Sequence, residues 1–99
     1  MLYVIGTGRL SCGKWVEARR THNEPQVNLF QQWGVGWVVS YNYYATTKSQ
    51  PVVAPPDLET VALWLDTYCA NNPTDTVVYG IAALVEKLGG KRALHAWKK

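Results

Sequence analysis

The sequence has no apolar run as long as the roughly 18 residues that a membrane-spanning helix needs, so it predicts no membrane span. The opening residues Met1 to Ile5 are few and carry no basic stretch, so we also expect no signal peptide within this sequence. Phe and Met occur once each, whereas there are five Trp and six Tyr. Because one aromatic side chain buries about 150–250 Å², these rings predict an aromatic core or an aromatic binding surface.

The nucleotide-binding motifs near the N-terminus are incomplete. Residues 8–14 match the phosphate-loop pattern G-x-x-x-x-G-K, but Trp15 stands where that loop needs a Ser or Thr hydroxyl for Mg²⁺. Gly6 and Gly8 begin a dinucleotide fingerprint, yet Ser11 replaces its third glycine. We therefore expect no cofactor.

Residue types that carry catalysis or bind metals are few and widely separated. Zinc ligands usually come in close pairs, a spacing absent from Cys12, His22, Cys69 and His95. Cys12 as a nucleophile with His22 as its base matches no family signature. The sequence therefore predicts neither a metal site nor an enzyme.

The carboxylates that lie closest together in the sequence are Asp57, Glu59, Asp66 and Asp75. We expect the outer two to lie in the first turns of helices, where they meet the positive end of the helix dipole. The inner two are expected on a solvated helix face. No paired-carboxylate site is predicted.

Apolar periodicity predicts an all-α domain of four helices. The first helix runs from Cys12 to about Arg20 with Ser11 as its N-cap. The second begins after Asn23 and keeps helical spacing to Ala45. Trp37 to Tyr44 is rich in β-branched and aromatic residues, so a strand is the competing interpretation there. Gly34 and Gly36 are expected where another helix approaches closely.

The third and fourth helices carry the clearest apolar stripes. Asp57 is the predicted N-cap of the third, whose buried face is expected to include Leu58, Val61, Ala62, Leu65, Tyr68 and Cys69. The fourth is predicted to begin with Asn72 as cap and Pro73 at its first position, which places Asp75 third. It should end at Gly89 and Gly90. We expect one domain over residues 1–99, with an extended lead-in at 1–10 and a basic tail at 91–99.

Two cysteines in a small domain form a disulfide, stay free or contribute half of a metal site. A disulfide between Cys12 and Cys69 is favoured, because Cys69 lies on the apolar face of its helix. It would close a loop of 56 intervening residues and stabilise the domain by about 4 kcal/mol in the chain-entropy model. Such bonds persist in oxidising compartments. The sequence thus favours a periplasmic or secreted protein in a mature form that begins with Met.

Three segments resemble small, mostly uncharacterised secreted proteins of Gram-negative bacteria. They are Gly6-Thr-Gly-Arg-Leu-Ser-Cys12, Gln32-Trp-Gly-Val-Gly36 and Trp64-Leu-Asp-Thr-Tyr-Cys-Ala-Asn-Asn-Pro73. The set includes Tai-type immunity proteins, which block amidase toxins, and HdeA-type acid-stress chaperones. The resemblance implies an exported, disulfide-bonded, HdeA-like helical bundle. Tai-type proteins carry more cysteines and HdeA-type chaperones are less basic, so no residue role is carried over.

The expected function is non-enzymatic binding of another protein, as in an inhibitor or immunity protein, and a homodimer is left open. The candidate surface comprises Trp37, Tyr41, Asn42, Tyr43 and Tyr44, with core packing as the competing role for Tyr41 and Tyr44. The alternative is an acid-stress chaperone, because protonation of all carboxylates and both His would raise the net charge from +3 to about +12. The basic tail at 91–99 is expected to be solvated rather than to bind nucleic acid.

Overall fold

The protein is described by a computed structural model over residues 11–90. This part of the chain forms α1 (Cys12–Arg20), α2 (Glu24–Thr47), α3 (Leu58–Asn71) and α4 (Val77–Lys87), with no strand among these residues. The predicted all-α bundle of four helices is confirmed. The predicted lead-in at 1–10 and tail at 91–99 lie outside the described residues. Within residues 11–90, no helix has the length and apolar character to cross a membrane.

The first three helices begin where their capping residues predict. The side chains of Ser11, Asn23 and Asp57 each accept a hydrogen bond from the backbone N–H three residues later. These bonds satisfy N–H groups that have no partner inside the helix. The stretch Trp37 to Tyr44 lies inside α2, so the strand alternative was wrong.

The fourth helix begins later than its sequence predicts. Thr76 is its N-cap, so the prediction of Asn72 as cap and Pro73 as first helical residue was wrong. The backbone explains the delay. The Cys12 N–H donates to the Asp75 carbonyl at 2.9 Å, and Ser11 pairs with Thr76 in an isolated antiparallel bridge. Thr76 is thus held extended against the start of α1, and the helix follows it.

The buried core lies where the four helices meet. Its largest fully buried side chains are Trp15, Tyr41, Phe30, Leu65 and Ile81. The rings of Trp15 and Phe30 meet edge to face with centroids 5.4 Å apart, a favoured aromatic geometry. The predicted disulfide joins Cys12 and Cys69 inside this core, with both residues buried and their Cα atoms 5.1 Å apart.

A polar contact fixes α1 against α3. Asp66 accepts from the Trp15 indole N–H at 2.9 Å and from two nitrogens of Arg19 at 3.0 and 2.6 Å. Asp66 keeps 37% of its side chain exposed, so it is partly solvated as predicted, but the prediction missed its contacts with α1. Leu58 was misplaced, because it is exposed at the start of α3 instead of buried.

Candidate binding surface

The five predicted surface residues separate into two groups, and the polar groups of the first bond to other parts of the chain. Tyr41 exposes only 2% of its surface, and its hydroxyl donates to the Pro51 carbonyl at 2.8 Å. Asn42 donates to the Val53 carbonyl at 2.7 Å and accepts from the Val53 N–H at 2.8 Å. Their polar groups hold the connection between α2 and α3 in place. The assignment of Tyr41 to a binding surface was wrong and its competing role in the core is confirmed, whereas Asn42 is half-buried with its amide bonded to Val53.

The second group reaches the surface to different degrees. Tyr43 exposes 78% of its surface. Tyr44 is partly covered by Lys48, whose Nζ lies 6.0 Å from the ring centroid. Trp37 is half-buried and packs with Trp33 against Val78 and Ala82 of α4. Tyr43 is therefore the one predicted ring that projects almost fully into solvent.

Tyr43 continues a row of exposed residues along α2 that the sequence pattern alone did not single out. Counted back in steps of four, three, four and three, the row is Tyr43, Val39, Gly36, Gln32 and Leu29. Such steps place residues on one helix face. Leu29 exposes 54% of its surface and Val39 exposes 50%. We call these five residues the α2 outer face.

The α2 outer face carries no charge. Between Glu24 in the first turn and the C-cap Lys48, α2 contains no Asp, Glu, Lys or Arg. Exposed apolar residues on the other helices lie among charges: Leu63 of α3, for example, has Glu59 one turn before it and Asp66 one turn after it. From Leu29 to Tyr43 the uncharged exposed face is about 21 Å long, which is unusual on a helix that otherwise packs into a core.

Two glycines of α2, alike in the sequence, have different surroundings. A Cβ atom on Gly34 would lie 2.9 Å from Val61 Cγ1 and 3.1 Å from Ile81 Cδ1, so Gly34 permits close helix packing, as predicted. A Cβ on Gly36 would meet no heavy atom of the described chain within 4 Å. Within residues 11–90, no helix approaches Gly36 closely, so the predicted close approach is not found there. Gly36 lies at the centre of the α2 outer face.

The sequence did contain signals for this face. They are the absence of charge over residues 25–47 and the three-four spacing of Leu29, Gln32, Gly36, Val39 and Tyr43. Both were obscured because the buried face of α2 is apolar too. Periodicity alone therefore identifies the helix but does not separate its two apolar sides.

A second surface feature is an open groove of about 610 Å³ between α1 and the first turns of α2 and α3. Arg19, Glu24, Asp57 and Glu59 line it. The hydrogen bond with Asp66 raises the pKa of Arg19, and the nearby Glu59 and Glu24 add to this effect. Since Asp66 already pairs with the guanidinium group, the groove offers no uncommitted cation for an anionic ligand.

Within residues 11–90, the side chains that could bind a metal or act in catalysis do not lie together in one site. No group of three or more His, Cys, Asp or Glu there is arranged to hold a metal ion. Cys12, the sequence candidate for a nucleophile, is bound to Cys69, whereas His22 is exposed at a turn. The α2 outer face is thus the feature of the described chain best suited to interaction. Comparisons with protein-family models, curated proteins and solved structures find no match for the chain.

Proposed function

We propose that this chain is a non-enzymatic protein-binding domain of the periplasm or of the secreted fraction, and that it binds by the α2 outer face. The observation that carries the proposal is the uncharged, apolar character of that face over its whole length. Interface cores are depleted of charge and enriched in aromatic residues. Tyr43 supplies the exposed ring, and Leu29 and Val39 supply the apolar surface beside it.

The location is proposed from the disulfide. Both sulfur-bearing residues are buried between α1 and the last turn of α3, so the bond is part of the core. Disulfides of this structural kind persist where the surroundings are oxidising. The resemblance to small secreted proteins of Gram-negative bacteria supports the same compartment and a role in inhibition or immunity.

The non-enzymatic character is supported by the engagement of the carboxylates. Asp57 caps α3, Asp66 binds Trp15 and Arg19, and Asp75 accepts from the Tyr68 hydroxyl. Each of these groups thus has a structural role that accounts for its position. A general acid or base instead needs a side chain within hydrogen-bond reach of a bound substrate.

The experiment compares three immobilised proteins in extract from the oxidising compartment of the source cell: wild type, Val39→Lys and Val16→Lys. Val16 exposes 47% of its surface on α1 and is the matched control for Val39. We expect wild type and Val16→Lys to retain the same protein at micromolar concentration and Val39→Lys to lose it. Equal retention by all three, or no retained protein, would overturn the proposal.

A second candidate, an acid-stress chaperone, is favoured by one observation. The Cys12–Cys69 bond joins α1 to α3 and does not respond to acid. Strong acid would raise the net charge from +3 to about +12 once all carboxylates and both His are protonated. The resulting repulsion would loosen the helix packing while α1 and α3 stay joined, and apolar surface would become accessible. Suppression of client-protein aggregation at pH 2–3 is the expected result. A failure to suppress it would remove this candidate.

A further inference from the structure

We infer that the groove between α1 and the first turns of α2 and α3 binds the side chain of an arginine presented by a partner protein. The inference goes beyond the proposed function, because it assigns a site other than the α2 outer face. Three features of the groove support it: carboxylates without an ion pair, a buried amide with an unused acceptor oxygen, and apolar side chains beside them.

Two carboxylates of the groove have no partner within residues 11–90. Glu17 and Asp66 pair with arginines, whereas Glu24 and Glu59 make neither an ion pair nor a hydrogen bond there. The hydrogen bond with Asp66 is the main reason why the pKa of Arg19 is raised, and Glu59 and Glu24 raise it further. The two glutamates belong to different helices, yet both act on the same guanidinium group. Their negative charges therefore meet in the groove.

The helix dipoles offset only part of this charge. Glu24 lies in the first turn of α2, Glu59 lies in the first turn of α3, and Asp57 is the N-cap of α3. The start of a helix is equivalent to about half a unit of positive charge, so two helix starts supply about one unit. Asp66 already balances Arg19. Three carboxylates against about one positive unit leave the groove negative, so by charge it complements a cation.

A buried amide supplies an acceptor that the chain does not use. Gln31 lines the groove, exposes only 8% of its surface and is the one buried polar residue within 11–90. Its Nε2 donates to the Leu58 carbonyl at 3.0 Å. Because a carbonyl only accepts, this bond fixes the amide with its Oε1 as the other end, and no group of residues 11–90 donates to that oxygen. Buried polar atoms normally have partners, so a donor from a ligand would complete this one.

The groove suits an arginine side chain better than a metal ion. No three of its carboxylates are arranged to hold a metal ion. Its volume of about 610 Å³ is that of a site for a larger group. Val27 and Leu58 line it beside the acceptors, and Leu58 is 41% exposed. Arginine combines an apolar stem with five N–H donors and no acceptor, which matches a groove of apolar side chains, carboxylates and an amide oxygen.

Titration of N-acetyl-arginine-amide into the ¹⁵N-labelled full chain at pH 7 tests the site by nuclear magnetic resonance. We expect saturable shifts of the Gln31 side-chain amide and of the backbone amides of Asn28 and Leu58. A single side chain should bind with a dissociation constant of about 1–10 mM. The corresponding citrulline compound has a neutral urea group in place of the guanidinium, so it should bind at least about tenfold more weakly.

Two double variants with equal net charge separate groove contacts from the charge of the whole protein. Glu24→Gln/Glu59→Gln should bind the arginine compound at least about tenfold more weakly than wild type. Glu17→Gln/Glu86→Gln removes two exposed carboxylates outside the groove and should bind within about twofold of wild type. Circular dichroism checks that both variants fold.

Three results would overturn the inference. The first is no saturable shift in the groove up to about 50 mM arginine compound. The second is equal binding of the arginine and citrulline compounds to wild type, a comparison that needs no variant. The third is equal binding of the arginine compound by the two double variants.

Discussion

The indole N–H of Trp15 donates to the carboxylate of Asp66 at 2.9 Å, across 51 residues of sequence. Trp15 is fully buried, so this bond satisfies a donor that water does not reach. Arg19 approaches the same carboxylate from the solvent side, where both partners of the ion pair keep more than a third of their side chains exposed. The buried N–H, more than the exposed charge pair, makes Asp66 important for stability.

Replacement of Asp66 should therefore show a graded effect. Asp66→Ala leaves the Trp15 N–H buried without an acceptor and should lower the free energy of unfolding by about 1–3 kcal/mol. Asp66→Asn keeps an acceptor oxygen and should lose less. Urea unfolding at pH 7 measures both. If the two variants lose equal stability, the ion pair with Arg19 dominates instead.

Loss of the disulfide should destabilise the fold more than loss of the Asp66 contacts. The double variant Cys12→Ala/Cys69→Ala removes a bond between two residues that are 57 positions apart in the sequence. The chain-entropy model predicts a loss of about 4 kcal/mol, much of the 5–15 kcal/mol typical of a domain. Urea unfolding of oxidised wild type and of the double variant gives the difference. Two free thiols per denatured, unreduced molecule would contradict the bond itself.

The two α2 glycines should respond in opposite directions to the same substitution. Gly34→Ala forces a methyl group against Val61 and Ile81 and should destabilise the monomer by about 1–3 kcal/mol. Gly36→Ala adds a methyl group in open space and should stabilise the helix by up to about 1 kcal/mol. Urea unfolding measures both changes in stability. Destabilisation by both substitutions would show that Gly36 is packed.

Asp57 should contribute to the pH dependence of stability. Hydrogen bonding by Thr60, from its side chain and from its backbone N–H, lowers the pKa of the Asp57 carboxyl. A carboxyl with a lowered folded pKa stabilises the fold above its unfolded pKa, at about pH 4, and loses this contribution as pH falls through the folded pKa. Asp57→Asn keeps a capping oxygen that does not titrate.

The difference in unfolding free energy between wild type and Asp57→Asn should therefore be constant above about pH 4 and should shrink below it. Carboxyl ¹³C shifts of Asp57 across the same pH range report the titration directly. An Asp57 titration midpoint at or above the ordinary Asp value would contradict the expected direction.

Local patterns in the sequence were sufficient to predict the helices and the disulfide. The caps at Ser11, Asn23 and Asp57 act within one turn, so neighbouring residues determine them. The pairing of Cys12 with Cys69 followed because only two cysteines are present and Cys69 lies on an apolar face.

The features that the sequence did not predict depend on contacts between distant segments of the chain. Asp66 appeared solvated because its partner Trp15 is 51 residues away in sequence. The start of α4 depends on Ser11 and Cys12, whose backbones bind residues 75 and 76 and hold Thr76 extended. Asn42 was placed on the candidate binding surface because no short-range rule indicates that its amide bonds to the backbone of Val53. Sequence periodicity locates helices, but it does not show which distant residue a polar side chain will hydrogen-bond to.

The bond between Cys12 and Cys69 also determines what a protease can release. Any single cut of the chain between these two residues leaves both fragments joined through sulfur. A nicked molecule would therefore keep its full mass on a non-reducing gel and separate into two bands only after reduction. Helix α2 lies within this covalent ring, as does α3 up to Cys69. A cut in either of these stretches thus leaves the two pieces of the bundle covalently joined.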